Sequence, residues 1–192
     1  MKRYITAVLI ASFSLLAPAA HAAALATIDV IGKAINHPAA DQWSIYGTSE
    51  KHELVKDSGV NGGAAFQVTS AGAALNPWDI QAGVTTSKAV KKGDVILLAF
   101  WARAVTPQTV NVPAVVQQTS APYTRIGAEN LTITADWKLY YVSGPADQDY
   151  AAGTLGASVQ LANGAQTVAL GPVFLLNYGP GYNPKYLPHN IP

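Results

Sequence analysis

The residues best suited to hold a ligand lie in one uncharged stretch. From Val110 to Ile126 the chain reads Val-Asn-Val-Pro-Ala-Val-Val-Gln-Gln-Thr-Ser-Ala-Pro-Tyr-Thr-Arg-Ile, with no charge before Arg125. A strand places alternate side chains on opposite faces, so Val112, Ala114, Val116 and Gln118 share one side and Val115, Gln117 and Thr119 the other. Pro122 fixes the backbone just ahead of Tyr123, so that ring is carried at a strand end with little freedom to lose. Carboxamides bond hydroxyls, and a flat ring covers the apolar C–H face of a pyranose. The chemistry on offer is therefore non-covalent recognition of a sugar. The same residues also suit an ordinary strand whose closing tyrosine caps the core.

Covalent chemistry finds less support. A glycosidase needs two carboxyl groups across a cleft at a defined separation. Of the eleven carboxylates here, none sits among neighbours that would obviously raise its pKa, and Asp147 and Asp149 lie in a loop-like stretch between Gly144-Pro145 and Gly153. Ser58, in Asp57-Ser58-Gly59, lacks the strand, turn and helix context of a nucleophile elbow. His37, His52 and His189 are far apart and show no metal-ligand spacing. There is no cysteine, so neither thiol chemistry nor a disulfide is available. The reading names no catalytic residue, no metal ligand and no cofactor.

Composition narrows the partners. Met1-Lys2-Arg3, an apolar run from Tyr4 to Ala17 and Ala20-His21-Ala22 have the three parts of a secretory signal peptide, with cleavage expected near Ala22. The product is then secreted or periplasmic. No later stretch approaches about 20 apolar residues, so no membrane span is expected. Without Lys2 and Arg3, ten basic residues face eleven acidic ones, and a nucleic-acid partner has no electrostatic support. Only 12% of residues are charged, which leaves a surface of neutral polar groups suited to neutral ligands.

These groups need strands to position them. Trp43, Ile45 and Gly47 alternate with Ser44 and Tyr46, which sets Trp43 inward and Tyr46 outward. Glu50 to Gly63 reads as a loop or hairpin, and Ala64 to Ser70 as a strand with Phe66 and Val68 inward. Asn76 to Gln81, with Trp78, opens another strand after Pro77. Val95 to Ala104 is apolar on both faces and reads as a central strand. Leu131 to Val142 is one strand or two around Ala135-Asp136. Leu155 to Leu161 alternates again, with Gly156, Ser158 and Gln160 outward, and Asn163-Gly164 is a hairpin cue. Val168 to Leu176 closes the set. About nine short strands and no sustained helical period predict an all-β, two-sheet antiparallel sandwich of the jelly-roll or immunoglobulin type. Trp43, Phe100 and Trp137 are read as core.

The order of Trp43-Ser-Ile-Tyr46-Gly, Gly93-Asp-Val-Ile-Leu-Leu-Ala-Phe-Trp-Ala-Arg-Ala104, Gln118-Thr-Ser-Ala-Pro-Tyr123, Trp137-Lys-Leu-Tyr140 and the Gln160-bearing penultimate strand resembles carbohydrate-binding modules of families four, nine and twenty-two. The likeness covers about residues 40 to 177. It implies a galactose-binding-domain-like jelly roll whose concave sheet takes single polysaccharide chains of β-glucan or xylan type. It also implies contacts from Tyr46, Tyr123 and Gln160, while Trp78 resembles the stacking tryptophan of xylan-binding relatives. A second family glutamine falls near Gly156. The aspartate that holds a structural calcium in many relatives falls at Leu170-Gly171-Pro172-Val173, so no calcium is assumed. Gln117 joins the set on strand alternation alone.

The reading is thus a leader (1–22), an arm or first strand (23–39), a non-catalytic polysaccharide-binding sandwich (40–177) and a Pro/Tyr-rich tail (178–192). Its candidate site is Tyr46, Trp78, Gln117, Tyr123 and Gln160, and a separately encoded glycoside hydrolase is a candidate partner. The alternatives are a glycoside hydrolase or lyase on a jelly roll, and a surface or matrix protein that uses the tail to lie along a partner.

Overall fold

The computed structural model describes residues 30–190, so the expected leader and the first part of the arm lie outside the described residues. Residues 30–32 belong to a separate unit and are helical. From Lys33 onward the described chain builds ten strands in two antiparallel five-stranded sheets. The front sheet runs in the order β1 (Ser44–Gly47), β4 (Ile80–Thr85), β9 (Leu155–Gln160), β6 (Thr109–Gln118) and β7 (Arg125–Thr134). The back sheet runs β2 (Glu50–Lys56), β3 (Ala64–Ala73), β10 (Asn163–Pro180), β5 (Asp94–Thr106) and β8 (Lys138–Pro145). This is the expected all-β jelly roll. No helix among the described residues is long and apolar enough to cross a membrane.

The period of two explains why the sheets face each other. Ile80, Ala82 and Val84 on β4, Val112, Ala114 and Val116 on β6, and Leu155 and Val159 on β9 point inward. They meet Ile96, Leu98 and Phe100 on β5 and Val168, Leu170 and Leu175 on β10. Each fully buried aliphatic side chain contributes about 1.5–3 kcal/mol. Trp43 enters this core edge-on to Phe100, with ring centroids 5.7 Å apart, and donates its Nε1–H to the Gly171 carbonyl at 2.8 Å. The expected inward Trp43 and outward Tyr46 follow from that anchor.

Several local expectations give way to tertiary context. Glu50 to Gly63 follows the hairpin alternative: residues 50–56 are the edge strand β2, paired antiparallel with β3 across residues 57–63, and the strand is hard to see in the sequence because it is largely exposed on both faces and carries no hydrophobic period. Asn76 to Asp79 is a 3-10 turn closed by a capping box, and the strand begins only at Ile80. Leu131 to Val142 follows the two-strand alternative, breaking around Ala135-Asp136 into the end of β7 and the start of β8, which lie in different sheets. Asn163-Gly164 is no hairpin: the chain crosses at Leu161-Ala162 to the other sheet, and Gly164 already pairs with Gly72 on β3. Trp137 is only partly buried, and with Trp101 and Val105 it covers a small outer cluster of Val60, Ala65 and Ala169.

The tail folds back on its own sandwich. Leu187 is buried, and the Asn190 carboxamide pairs with the Tyr141 backbone, accepting from its N–H at 3.0 Å and donating to its carbonyl at 2.8 Å. A side chain thereby does for the β8 edge what a neighbouring strand would do.

Candidate functional site

The outer face of the front sheet carries three rows of side chains fixed by strand register. Tyr46, Gln81 and Gln160 form the first, Ser44, Gly83, Ser158 and Val115 the second, and Thr85, Gly156 and Gln117 the third. Successive residues of one strand alternate faces, so the core positions of β4, β6 and β9 leave these as their outward partners. A groove of about 800 Å³ lies over all of these except Gln160 and Val115. That volume is within the range of sites that enclose a small ligand.

Two tyrosines stand at the groove. Tyr46 leaves β1 half exposed, at 52%, and Tyr123 follows β6 at 55%. Burial of part of the Tyr46 ring pushes its hydroxyl above the usual tyrosine value; the Gln81 carboxamide beside it pulls the other way, and Tyr123 adds a smaller upward push. Tyr123 has a left-handed backbone (φ 57°), uncommon for a residue with a side chain, and its N–H donates to the Ser120 carbonyl at 2.8 Å. Such a conformation costs of order 1 kcal/mol and persists only where its surroundings hold it, which suits a ring set for contact.

The rest of the lining is neutral. Gln42, Gln81, Gln117 and Gln118 supply carboxamides, and Ser44, Thr85 and Ser158 supply hydroxyls; among the described residues no Asp, Glu, Lys or Arg lines the groove. One end is made by the arm before β1. Asn36 pins it to β10 by donating to the Val173 carbonyl at 2.9 Å and accepting from the Leu175 N–H at 2.7 Å, which leaves His37 at the groove. Gly156 is forced to be small, since a Cβ there would come within 2.7 Å of the Val84 carbonyl oxygen. The glutamine that the resemblance allows near this position has no room.

Of the residues singled out from the sequence, the structure brings Tyr46, Gln117 and Tyr123 to the groove. Gln160 shares the face but is only 3% exposed and does not line the groove. The 3-10 turn packs against the end of its strand, where the Leu161 N–H donates to the Ile80 carbonyl and the Ala162 N–H to the Pro77 carbonyl. Trp78 is half exposed on that turn, outside the groove. Gln118, the last residue of β6, also lines the groove, although strict alternation sets it on the side opposite Gln117. Gln81, Ser44 and His37 are not in the candidate set read from the sequence, Gln81 being the weaker reading there; their place depends on which strands are neighbours, which no local pattern encodes. Among the described residues no group of three His, Asp or Glu side chains is placed to hold a metal ion. Where the resemblance sets a calcium aspartate, Gly171 packs against Val60 and Trp101 and gives its carbonyl to Trp43.

A family model described as "Carbohydrate binding domain" matches residues 35–143. No curated protein matches the sequence. Among solved structures, the second N-terminal cellulose-binding domain of β-1,4-glucanase C from Cellulomonas fimi is similar at 21% identity and a TM-score of 0.57, over 76% of this chain and 94% of that one. The first N-terminal cellulose-binding domain of the same glucanase gives 20% identity and a TM-score of 0.53, over 74% and 91%. The CBM22-1 xylan-binding domain from Paenibacillus barcinonensis gives 11% identity and a TM-score of 0.55, over 77% and 92%. At these identities the structural likeness speaks for the fold.

Proposed function

The chain belongs to the carbohydrate binding domain family whose model it matches, and from that membership we propose that it is a secreted, non-catalytic binder of neutral polysaccharide chains. The observation that carries the proposal is the groove: two half-exposed tyrosines set over a lining of carboxamides and hydroxyls, with no charged side chain among the described lining residues. Tyr46 and Tyr123 supply stacking faces, and Gln81 and Gln117 supply donors and acceptors for ring hydroxyls. Rings that are already held lose little freedom on binding, which is how a shallow groove gains affinity. The cellulose- and xylan-binding domains that share the fold support a glucan or xylan chain as ligand. Export rests on the leader read at residues 1–22.

Catalysis is the competing reading, and the groove gives it no pair of carboxyl groups to work with. Affinity electrophoresis against soluble glucans, xylans and mannans, with reducing-sugar release measured in parallel, separates the two. Retardation without release supports the binder. Release supports an enzyme, and neither retardation nor release supports a matrix component.

A further inference from the structure

Two glycines line the groove, and crowding accounts for only one of them. Gly156 has no room for a side chain, because a Cβ there would lie 2.7 Å from the Val84 carbonyl oxygen. Gly83, inside β4, has no positive φ, and a Cβ on it would meet nothing closer than 3.7 Å. A glycine inside a strand weakens it, through its larger freedom in the unfolded chain and the side chain it fails to pack. Neither backbone conformation nor space at Cβ explains Gly83.

The explanation lies one strand away. Tyr46 on β1 pairs with Gln81, and Ser44 with Gly83, so Tyr46 and Gly83 are diagonal neighbours on the outer face. Such neighbours are within reach of an aromatic side chain. The Tyr46 ring uses that reach: its Cε1 stands 3.8 Å from where a Cβ on Gly83 would sit, and the Gln81 carboxamide stands beside its hydroxyl. The other atoms nearest that point are backbone carbonyl oxygens, of Ala157 at 3.7 Å and of Ser44 at 3.9 Å. A methyl fits there. A branched side chain would carry its γ carbons toward the ring or the flanking backbone, and the half-exposed ring is the part free to move.

We propose that Gly83 is a positioning residue for glycan binding: its bare backbone is the seat that holds the Tyr46 ring at the groove, and a branched side chain at 83 turns that ring away from the ligand. The inference rests on the glycan reading of the groove. It gives Gly83 no contact of its own with the sugar; the residue acts through Tyr46. A ring seated before the ligand arrives loses little freedom on binding, so its stacking face contributes in full. A ring propped off its seat keeps its area and loses its place.

Titration calorimetry of the whole protein with cellohexaose and with xylohexaose tests this through Gly83→Val, Tyr46→Ala and the double variant. Valine suits a strand better than glycine does, so thermal unfolding should not fall. With the hexaose that the unaltered protein binds, Gly83→Val should weaken affinity about tenfold, as losing a stacking ring does. The double variant should bind no more weakly than Tyr46→Ala, since one ring cannot be lost twice. In aromatic NMR spectra, the ring signals assigned to Tyr46 by their absence from Tyr46→Phe should move in Gly83→Val. Unchanged affinity in Gly83→Val, unmoved Tyr46 signals, or losses that multiply in the double variant overturn the assignment; multiplied losses would mean that the valine meets the glycan itself. If the valine variant does not fold, Gly83→Thr, of the same shape, takes its place, and failure of both makes Gly83 a structural glycine and overturns the role. All of these results leave glycan binding by the unaltered protein standing. If neither hexaose binds, the glycan reading itself falls and this assignment falls with it.

Discussion

Tyr46 on β1 and Gln160 on β9 stand on one row of the front sheet, joined through Gln81, yet the ring is half exposed and the carboxamide is buried. The 3-10 turn over the end of β9 makes the difference, and the groove is confined to the part of the sheet beyond it. Gln160→Ala should therefore cost stability rather than affinity. Urea unfolding should show a loss of about 1 kcal/mol, while glycan affinity measured by calorimetry changes less than about twofold.

Trp78 projects from the same turn, half exposed but outside the groove. A glycan confined to the groove lining would not use Trp78, whereas a polymer running on past the turn would. Trp78→Ala should leave hexaose affinity unchanged within error and weaken retention on the polymer, as read by paired calorimetry and affinity electrophoresis.

Gly156 and Gly83 occupy the same floor with different freedom. A methyl on Gly156 would meet the Val84 carbonyl oxygen at 2.7 Å, while one on Gly83 meets nothing closer than 3.7 Å. Gly156→Ala should destabilise by about 1–3 kcal/mol, the usual cost of overpacking, and Gly83→Ala by much less. Denaturant midpoints of the two variants at equal slope check this.

Three tyrosines, Tyr46, Tyr141 and Tyr150, hold their protons above the ordinary value of 10.0, each chiefly because burial disfavours the phenolate. As pH rises past that value the unfolded chain releases these protons before the folded chain does, so the folded state binds more protons and its stability falls with pH. The contribution is intact below pH 10.0 and lost as pH climbs through the raised values. The urea midpoint should drop from about pH 10 upward, and the drop should be smaller in Tyr46→Phe, which has no such proton to lose.

How much of this was legible in the sequence differs from residue to residue. Buried strands announced themselves: β9 alternates in sequence, and β5 is apolar on both sides. β2 did not, because an edge strand exposed on both faces has no period to read. Asn163-Gly164 carried a hairpin signal, yet it opens the longest strand, since the two flanking runs face one core from opposite sheets. Tyr46 and Tyr123 could be named as platforms from alternation and from the proline step. The pairing of Gly83 with Ser158 on the groove floor could not, because it exists only when β4 and β9 are neighbours in a given register, and register is set by non-local packing.

The central claim is that Tyr46 and Tyr123 form the faces of one glycan groove. The most direct measurement is calorimetric affinity for a glycan that retards the unaltered protein, repeated with Tyr46→Ala, Tyr123→Ala and the double variant. Each single change should cost about 1–3 kcal/mol of binding with thermal unfolding nearly unchanged, the pair together should leave little binding, and no reducing sugar should be released. Unaltered affinity in the double variant would contradict the account.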